Sequence, residues 1–190
     1  MAGQTKGANL INTIAVARDR LGEQRFAELL ERLPERTREL VKRRIVAVEW
    51  VALDDWMPFL QTLFAEHCRS DEVQWREWAH AFCERDFNTV YKFFLKLGSP
   101  GFIIGRAARV WRTYNDSGQL EVLSREQREK ETHILMRLSD FEPYPLYAVS
   151  VQGFMEQLLA MSGAKASTVR MTARDVKNGR LVAEYAITYS

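Results

Sequence analysis

The sequence predicts an α+β domain. An N-terminal helical layer packs on a twisted antiparallel sheet, with a long helix before the C-terminal hairpin. Three observations carry this. Apolar residues recur at helical spacing over about residues 5–114. From Leu120 onward the apolar period changes to two. Asn178-Gly179 then joins two alternating runs, and both residues accept the positive φ that a tight hairpin turn needs. No internal repeat or low-complexity linker divides residues 1–190, so a single domain is expected, with a helical part at about 5–114 and a sheet-plus-helix part at about 118–190.

Leu10, Ile14, Ala17 and Leu21 form the first helical stripe, and Gly22 is its expected stop. Phe26, Leu29, Leu30 and Leu33 continue as a second short helix. Pro34 suits the first position of a third, over residues 35–45, whose mixed charges read as a solvated face. Asp54 and Asp55 are cap-type residues before Trp56, Phe59, Leu60, Leu63, Phe64 and His67, which describe one buried helical face. Pro58 falls in the first turn, where proline is tolerated. The next stripe is Trp75, Trp78, Ala79 and Phe82, resumed at Val90, Phe93, Phe94 and Leu97. Asp86 lies on that same face. An unpaired buried carboxylate is costly, so a break near residues 86–88 is expected, or a partner such as Arg106 or Arg109.

Gly98, Ser99 and Pro100 make a compact joint of stop, N-cap and first turn. The helix that follows presents Ile103, Ala107, Val110, Trp111 and Tyr114 to the core. Asn115-Asp-Ser-Gly118 is a turn. Leu120 and Val122 alternate with polar residues, as do Thr132, Ile134, Met136 and Leu138. The polar residues 124–131 between them read as an exposed hairpin connection. Tyr147, Val151, Phe154, Leu158 and Met161 form the long helix, stopped at Gly163. It is followed by strands at Val169, Met171 and Ala173 and at Leu181, Ala183, Tyr185, Ile187 and Tyr189.

Composition excludes several functions. With 27 basic and 25 acidic residues the net charge is +2, which gives no basic field for nucleic acid. No apolar run reaches the length of a membrane span, and the first residues lack a signal-peptide core. Two cysteines, Cys68 and Cys83, are too few for a disulfide framework, so a reducing cytoplasm is the default.

Catalytic and metal motifs are missing. The chain has no Gly-x-Ser-x-Gly elbow, phosphate-cradling loop or nucleotide fingerprint. His67 sits on an apolar face and reads as a core histidine. His80 lies off its stripe and reads as exposed, and His133 lies on a strand among polar residues. None has a second ligand at metal spacing. The aromatic residues are the remaining candidates. Trp75, Trp78, Phe82, Phe93, Phe94 and Trp111 are either a packed core or the lining of an apolar ligand pocket. Arg106, Arg109 and Arg112 form a partly exposed stripe, read as solvated or as an anion contact. Leu10, Ile14, Ala17 and Leu21 lie far in sequence from the sheet and are the candidate face of a symmetric dimer.

Three stretches carry a resemblance: Val90-Tyr-Lys-Phe-Phe-Leu-Lys-Leu-Gly-Ser-Pro100, Arg109-Val-Trp-Arg-Thr-Tyr-Asn-Asp-Ser-Gly118, and residues 169–187. On these the chain resembles a bacterial family best known as a paralogous set in myxobacteria. That family is similar to the ligand-binding superfamily of nitric-oxide signalling and Golgi transport. Its relatives include haem-nitric-oxide-binding domains, 4-vinyl-reductase-type sensors and dimeric transport-particle subunits. The resemblance implies a non-enzymatic interaction or sensory module in bacterial signalling, dimeric through its N-terminal helices. The alternative is a binder of a small apolar ligand or acyl chain. The departures matter as much. Where sensor relatives carry two terminal cysteines, this chain has Asp175 and Ala183, and no thiolate zinc site can form there. The Tyr-x-Ser-x-Arg motif by which haem-binding relatives hold propionates begins at none of the six tyrosines. Neither metal nor haem is therefore expected. The expected partners are a second copy of the chain, a protein, or an apolar small molecule.

The turn at Asn178-Gly179 sets the register of the last two strands. Gly179→Val places a β-branched residue where positive φ is required and is expected to cost on the order of 1–3 kcal/mol. The denaturant midpoint measures it, and an unchanged midpoint would misplace the turn.

Overall fold

Gly22 interrupts the first apolar stripe, and the chain breaks there. The computed structural model describes residues 3–87 and 99–190. Helix α1 (Gly7–Glu31) departs from helical geometry at Gly22, with φ 74° and ψ 163°. That region is open essentially to glycine alone, and a Cβ there would meet nothing within 4 Å. Conformation, not space, selects the residue.

Helix α2 (Glu35–Lys42) is three residues shorter than the charge pattern suggests, and Pro34 is its N-cap rather than its first residue. Helix α3 (Leu53–His67) begins ahead of Asp54 and Asp55. Both carboxylates lie in its first turn, where the helix dipole favours negative charge, and neither caps it. Helix α4 (Glu72–Asp86) is capped by Asp71, whose side chain accepts the Val73 N–H, and it ends at the expected break, Asp86. Phe93 and Phe94 lie outside the described residues. Ser99 caps α5 (Pro100–Ile104) through the Phe102 N–H, and α6 (Ala107–Tyr114) follows.

Two strands escape the periodicity. β1 (Gln4–Lys6) and β2 (Trp50–Ala52) form a small antiparallel ribbon, with Thr5 opposite Val51. Three residues are too few to show an alternation. The main sheet has the order β3-β4-β6-β5, with every neighbour antiparallel: β3 (Gln119–Arg128), β4 (Glu131–Phe141), β6 (Arg180–Tyr189) and β5 (Ser167–Lys177). The central strands alternate as their sequences require. Thr132, Ile134, Met136 and Leu138 of β4 are buried, as are Leu181, Ala183, Tyr185, Ile187 and Tyr189 of β6. The polar run at 124–131 is not a loop. Most of it is strand, turning only at Glu129 and Lys130. It is an edge strand whose charges face water, which blocks edge-to-edge pairing. The last hairpin turns at Asn178 and Gly179, with φ 52° and 73°.

Helix α7 (Pro145–Met161) lies between the sheet and α4. Its sheet side is tied by two buried bonds. Tyr185 donates its hydroxyl to the Ala148 carbonyl at 3.0 Å, and Gln152 donates Nε2 to the Val169 carbonyl at 3.0 Å. Its other side meets α4 at Gly153, where a Cβ would stand 2.8 Å from both the Ala79 Cβ and the Arg76 carbonyl oxygen. Trp75 donates its indole N–H to Ser150 across the same contact. His80 belongs here too. It is half-buried, not exposed, and lies 2.9 Å from a Glu156 carboxylate oxygen.

The Leu10–Leu21 stripe packs into the chain's own core, not onto an open face. Leu10 and Ala17 are fully buried within the single chain, and Ile14 and Leu21 are half-buried against the same core. With the sheet already covered by α7, the other helices must close on one another, and this stripe closes the chain's own core. Ile14→Asp is therefore expected to destabilise the fold by roughly 2–4 kcal/mol and not to release a folded monomer. Light scattering with circular dichroism separates the two results. Gly153→Ala is expected to cost about 1–3 kcal/mol by forcing α7 from α4, read as a lower denaturant midpoint.

Candidate functional site

Helix α7 is apolar on more than its sheet side. Tyr147, Ser150, Val151, Phe154, Met155 and Leu158 recur as i, i+3, i+4, i+7, i+8 and i+11, and all six line one cavity of about 460 Å³. Trp56 and Leu60 of α3, Phe82 of α4 and Phe87 beyond it supply more apolar wall. Helices α5 and α6 form the remaining side through Phe102, Ile103, Ala107, Val110 and Trp111. Phe102 and Val110 are exposed, and Ile103 and Ala107 half-buried, because their apolar faces turn to this space. Trp111 is fixed by its indole N–H, which donates to the Ser117 and Gly118 carbonyls at 3.0 and 3.1 Å.

A polar seam runs along one wall. Thr5 pairs with Asn115 as a β-bridge and donates its hydroxyl to the Tyr114 carbonyl at 3.0 Å. Asn9 donates to the Thr5 hydroxyl at 2.8 Å, and Tyr147 donates to the Asn115 side-chain oxygen at 3.2 Å. The small β1–β2 ribbon thus places Thr5 where it ties α1 to the end of α6. Asp86 is the acidic residue among the described residues of the wall. It is buried and accepts a hydrogen bond from the Asn12 amide of α1. Burial pushes its carboxyl up to about 7 against the opposing pull of Asn12. Burial likewise pushes the Tyr147 phenol up to about 12.

Two of the aromatic candidates, Phe82 and Trp111, are in the wall. Trp75 and Trp78 are not. Trp75 is fully buried between Phe64 and Phe82, and Trp78 packs beside Phe82 beneath the Arg20 guanidinium. Both are core. The sequence gives no cavity role to Asn9 or Thr13, and it reads Trp56, Leu60 and the α7 residues only as buried helical faces. The signal for α7 was present, because a helix apolar on two faces must be covered on both. Asn9 and Thr13 gave none, since polar residues one turn apart on α1 have no special pattern.

No protein-family model matches the chain, and no curated protein matches it. Solved structures do. An oxygen-binding H-NOX domain related to soluble guanylate cyclases superposes with a TM-score of 0.69 at 14% identity, covering 97% of this chain and 95% of that one. An H-NOX structure from work on haem distortion in that family gives 0.68 at 15% identity, with 97% and 95% covered. A mutant of T. tengcongensis H-NOX gives 0.68 at 14% identity, with 97% of each covered. The chain has the H-NOX-like α+β fold.

The fold raises haem as a ligand, and the residues here do not fit it. Neither the cavity wall nor residues 88–98 contain a histidine or cysteine to hold iron. His67, His80 and His133 all lie outside the wall. The wall's remaining donors of a kind that can hold iron are Tyr114, Tyr147 and Met155, and the Tyr147 phenol, pushed up by burial, is a poor source of the phenolate that iron requires. Among the described residues no group of three or more His, Cys, Asp or Glu is placed to hold a metal ion, and no helix is long and apolar enough to cross a membrane.

Asp86 makes stability depend on pH. Its folded-state pKa lies above that of the unfolded chain, so the folded state holds more protons between about pH 4 and 7. Stability falls as pH rises through that window. Asp86→Asn is expected to remove on the order of 2–4 kcal/mol of this dependence. His67, lowered by burial, acts in the opposite sense, so the difference between wild type and variant across pH 4–8 is the reading. Parallel profiles would refute it.

Proposed function

We propose that the chain is a non-enzymatic sensory module that binds a small apolar molecule, without haem, in the cavity between α3, α6 and α7. The observation that carries this is the cavity itself: about 460 Å³ walled mainly by aliphatic and aromatic side chains, with a few convergent polar groups. The H-NOX-like fold supports a sensory role, and a wall without histidine or cysteine argues against the haem its neighbours are studied for. Bacterial signalling, a cytoplasmic location and kinship with the myxobacterial paralogues belong to the same proposal. Self-association through the Leu10 stripe does not, because that stripe is core.

Full-length protein titrated with the neutral fluorophore N-phenyl-1-naphthylamine is expected to bind one equivalent and quench Trp56 and Trp111. Ala107→Phe projects a ring into the cavity and is expected to weaken binding at least about tenfold, with the circular dichroism unchanged. Added haem is expected to give no Soret band of a ligated iron. Binding unaffected by Ala107→Phe, or a ligated Soret band, would overturn the reading.

A further inference from the structure

The geometry points to an amphipathic carboxylate as the ligand, with its apolar body in the cavity and its anionic head on Arg106 and Arg109. This rests on the cavity being a ligand site and adds the chemical class. Both arginines belong to the cavity wall, and both are exposed, so they stand at its solvent edge. Arg106 is held in place by its guanidinium, which stacks 4.0 Å from the centre of the Phe102 ring. Among the described residues no acidic side chain is ion-paired with either guanidinium, whereas Arg32, Arg85, Arg137 and Arg174 each have a carboxylate within 2.8 Å. A planar fork without a carboxylate of its own, at the edge of an apolar cavity, suits a carboxylate that arrives with the ligand.

The opposite orientation is disfavoured by the same wall. Among the described residues Asp86 is the buried acidic residue lining the cavity, and the burial that already disfavours its own charge would leave a second carboxylate there poorly solvated. The polar seam of Asn9, Thr13, Asn115 and Tyr147 is neutral and offers no cation to offset that charge. An anionic head therefore stays at the edge, and the apolar body points inward. Phe102 and Val110, exposed beside the two arginines, widen the apolar path by which such a body enters.

The test compares dodecanoate with dodecanol at submicellar concentration, each displacing N-phenyl-1-naphthylamine from the full chain. Dodecanoate is expected to bind about tenfold more tightly or better, the value of a charge-assisted bond at a partly desolvated edge. The double variant Arg106→Gln, Arg109→Gln is expected to lose that preference, so that dodecanoate and dodecanol displace the fluorophore from it with equal affinity. Retained fluorophore binding shows that the variant's cavity is intact. Equal affinity for acid and alcohol, or a preference that survives the double variant, overturns the carboxylate inference and leaves the cavity reading standing. Failure of fluorophore, acid and alcohol alike to bind the wild-type chain overturns both.

Discussion

The contact between α7 and α4 at Gly153 is the constraint on which the rest of the molecule depends. With no side chain at that position, the two helices approach until a Cβ would stand 2.8 Å from the Ala79 Cβ and the Arg76 carbonyl oxygen. The indole of Trp75 then reaches Ser150, and Glu156 reaches His80. The opposite side of α7 is held by the Tyr185 and Gln152 bonds to and from the sheet layer. So α7 has its rotation fixed from both sides. That fixed rotation sends the stripe from Tyr147 to Leu158 toward α6, across a space that the described residues do not fill. The cavity follows from how α7 is clamped, and no single residue of its wall creates it.

Much of this was legible because period is a robust signal. The alternation in β4 and β6, the turn at Asn178-Gly179 and the break at Gly22 each have one physical reading, and the structure has it. The failures have physical reasons too. Three-residue strands carry no period. The second half of the β3 edge strand, residues 124–128, is polar on both faces, so it imitates a loop. Pattern alone also cannot separate a helical face that fills a core from one that walls a cavity, since both are apolar at the same spacing. Trp75 and Trp111 illustrate this: one packs between aromatic rings, while the other borders open space. The Leu10 stripe is ambiguous in the same way, and in the single chain it packs inward. An apolar face does not announce whether its partner is the same chain or another.

Asp86 shows how sequence and structure divide the work. Its position among aromatics demanded a break or a partner, and both are present: α4 ends there, and Asn12 donates to it from α1. Nothing in the spacing pointed to Asn12, which is 74 positions away. A buried carboxyl raised to about 7 by desolvation is a cost to the fold at neutral pH. Proteins tolerate such costs at sites that act on something, and this group lies in the cavity wall.

The cavity carries a cost of its own. Apolar side chains around open space lack the close contacts that a filled core supplies, and that loss grows with the volume left empty. A ligand restores those contacts, and binding to the folded state alone stabilises it by about 2.7 kcal/mol at a hundred times its dissociation constant. Folding and ligand occupancy are then linked. The link is directional because the cavity is walled by α6 and its flanking turn. Trp111 is anchored to the turn carbonyls of Ser117 and Gly118, and that turn leads directly into β3. A molecule that presses on Trp111 therefore presses on the start of the outer strand.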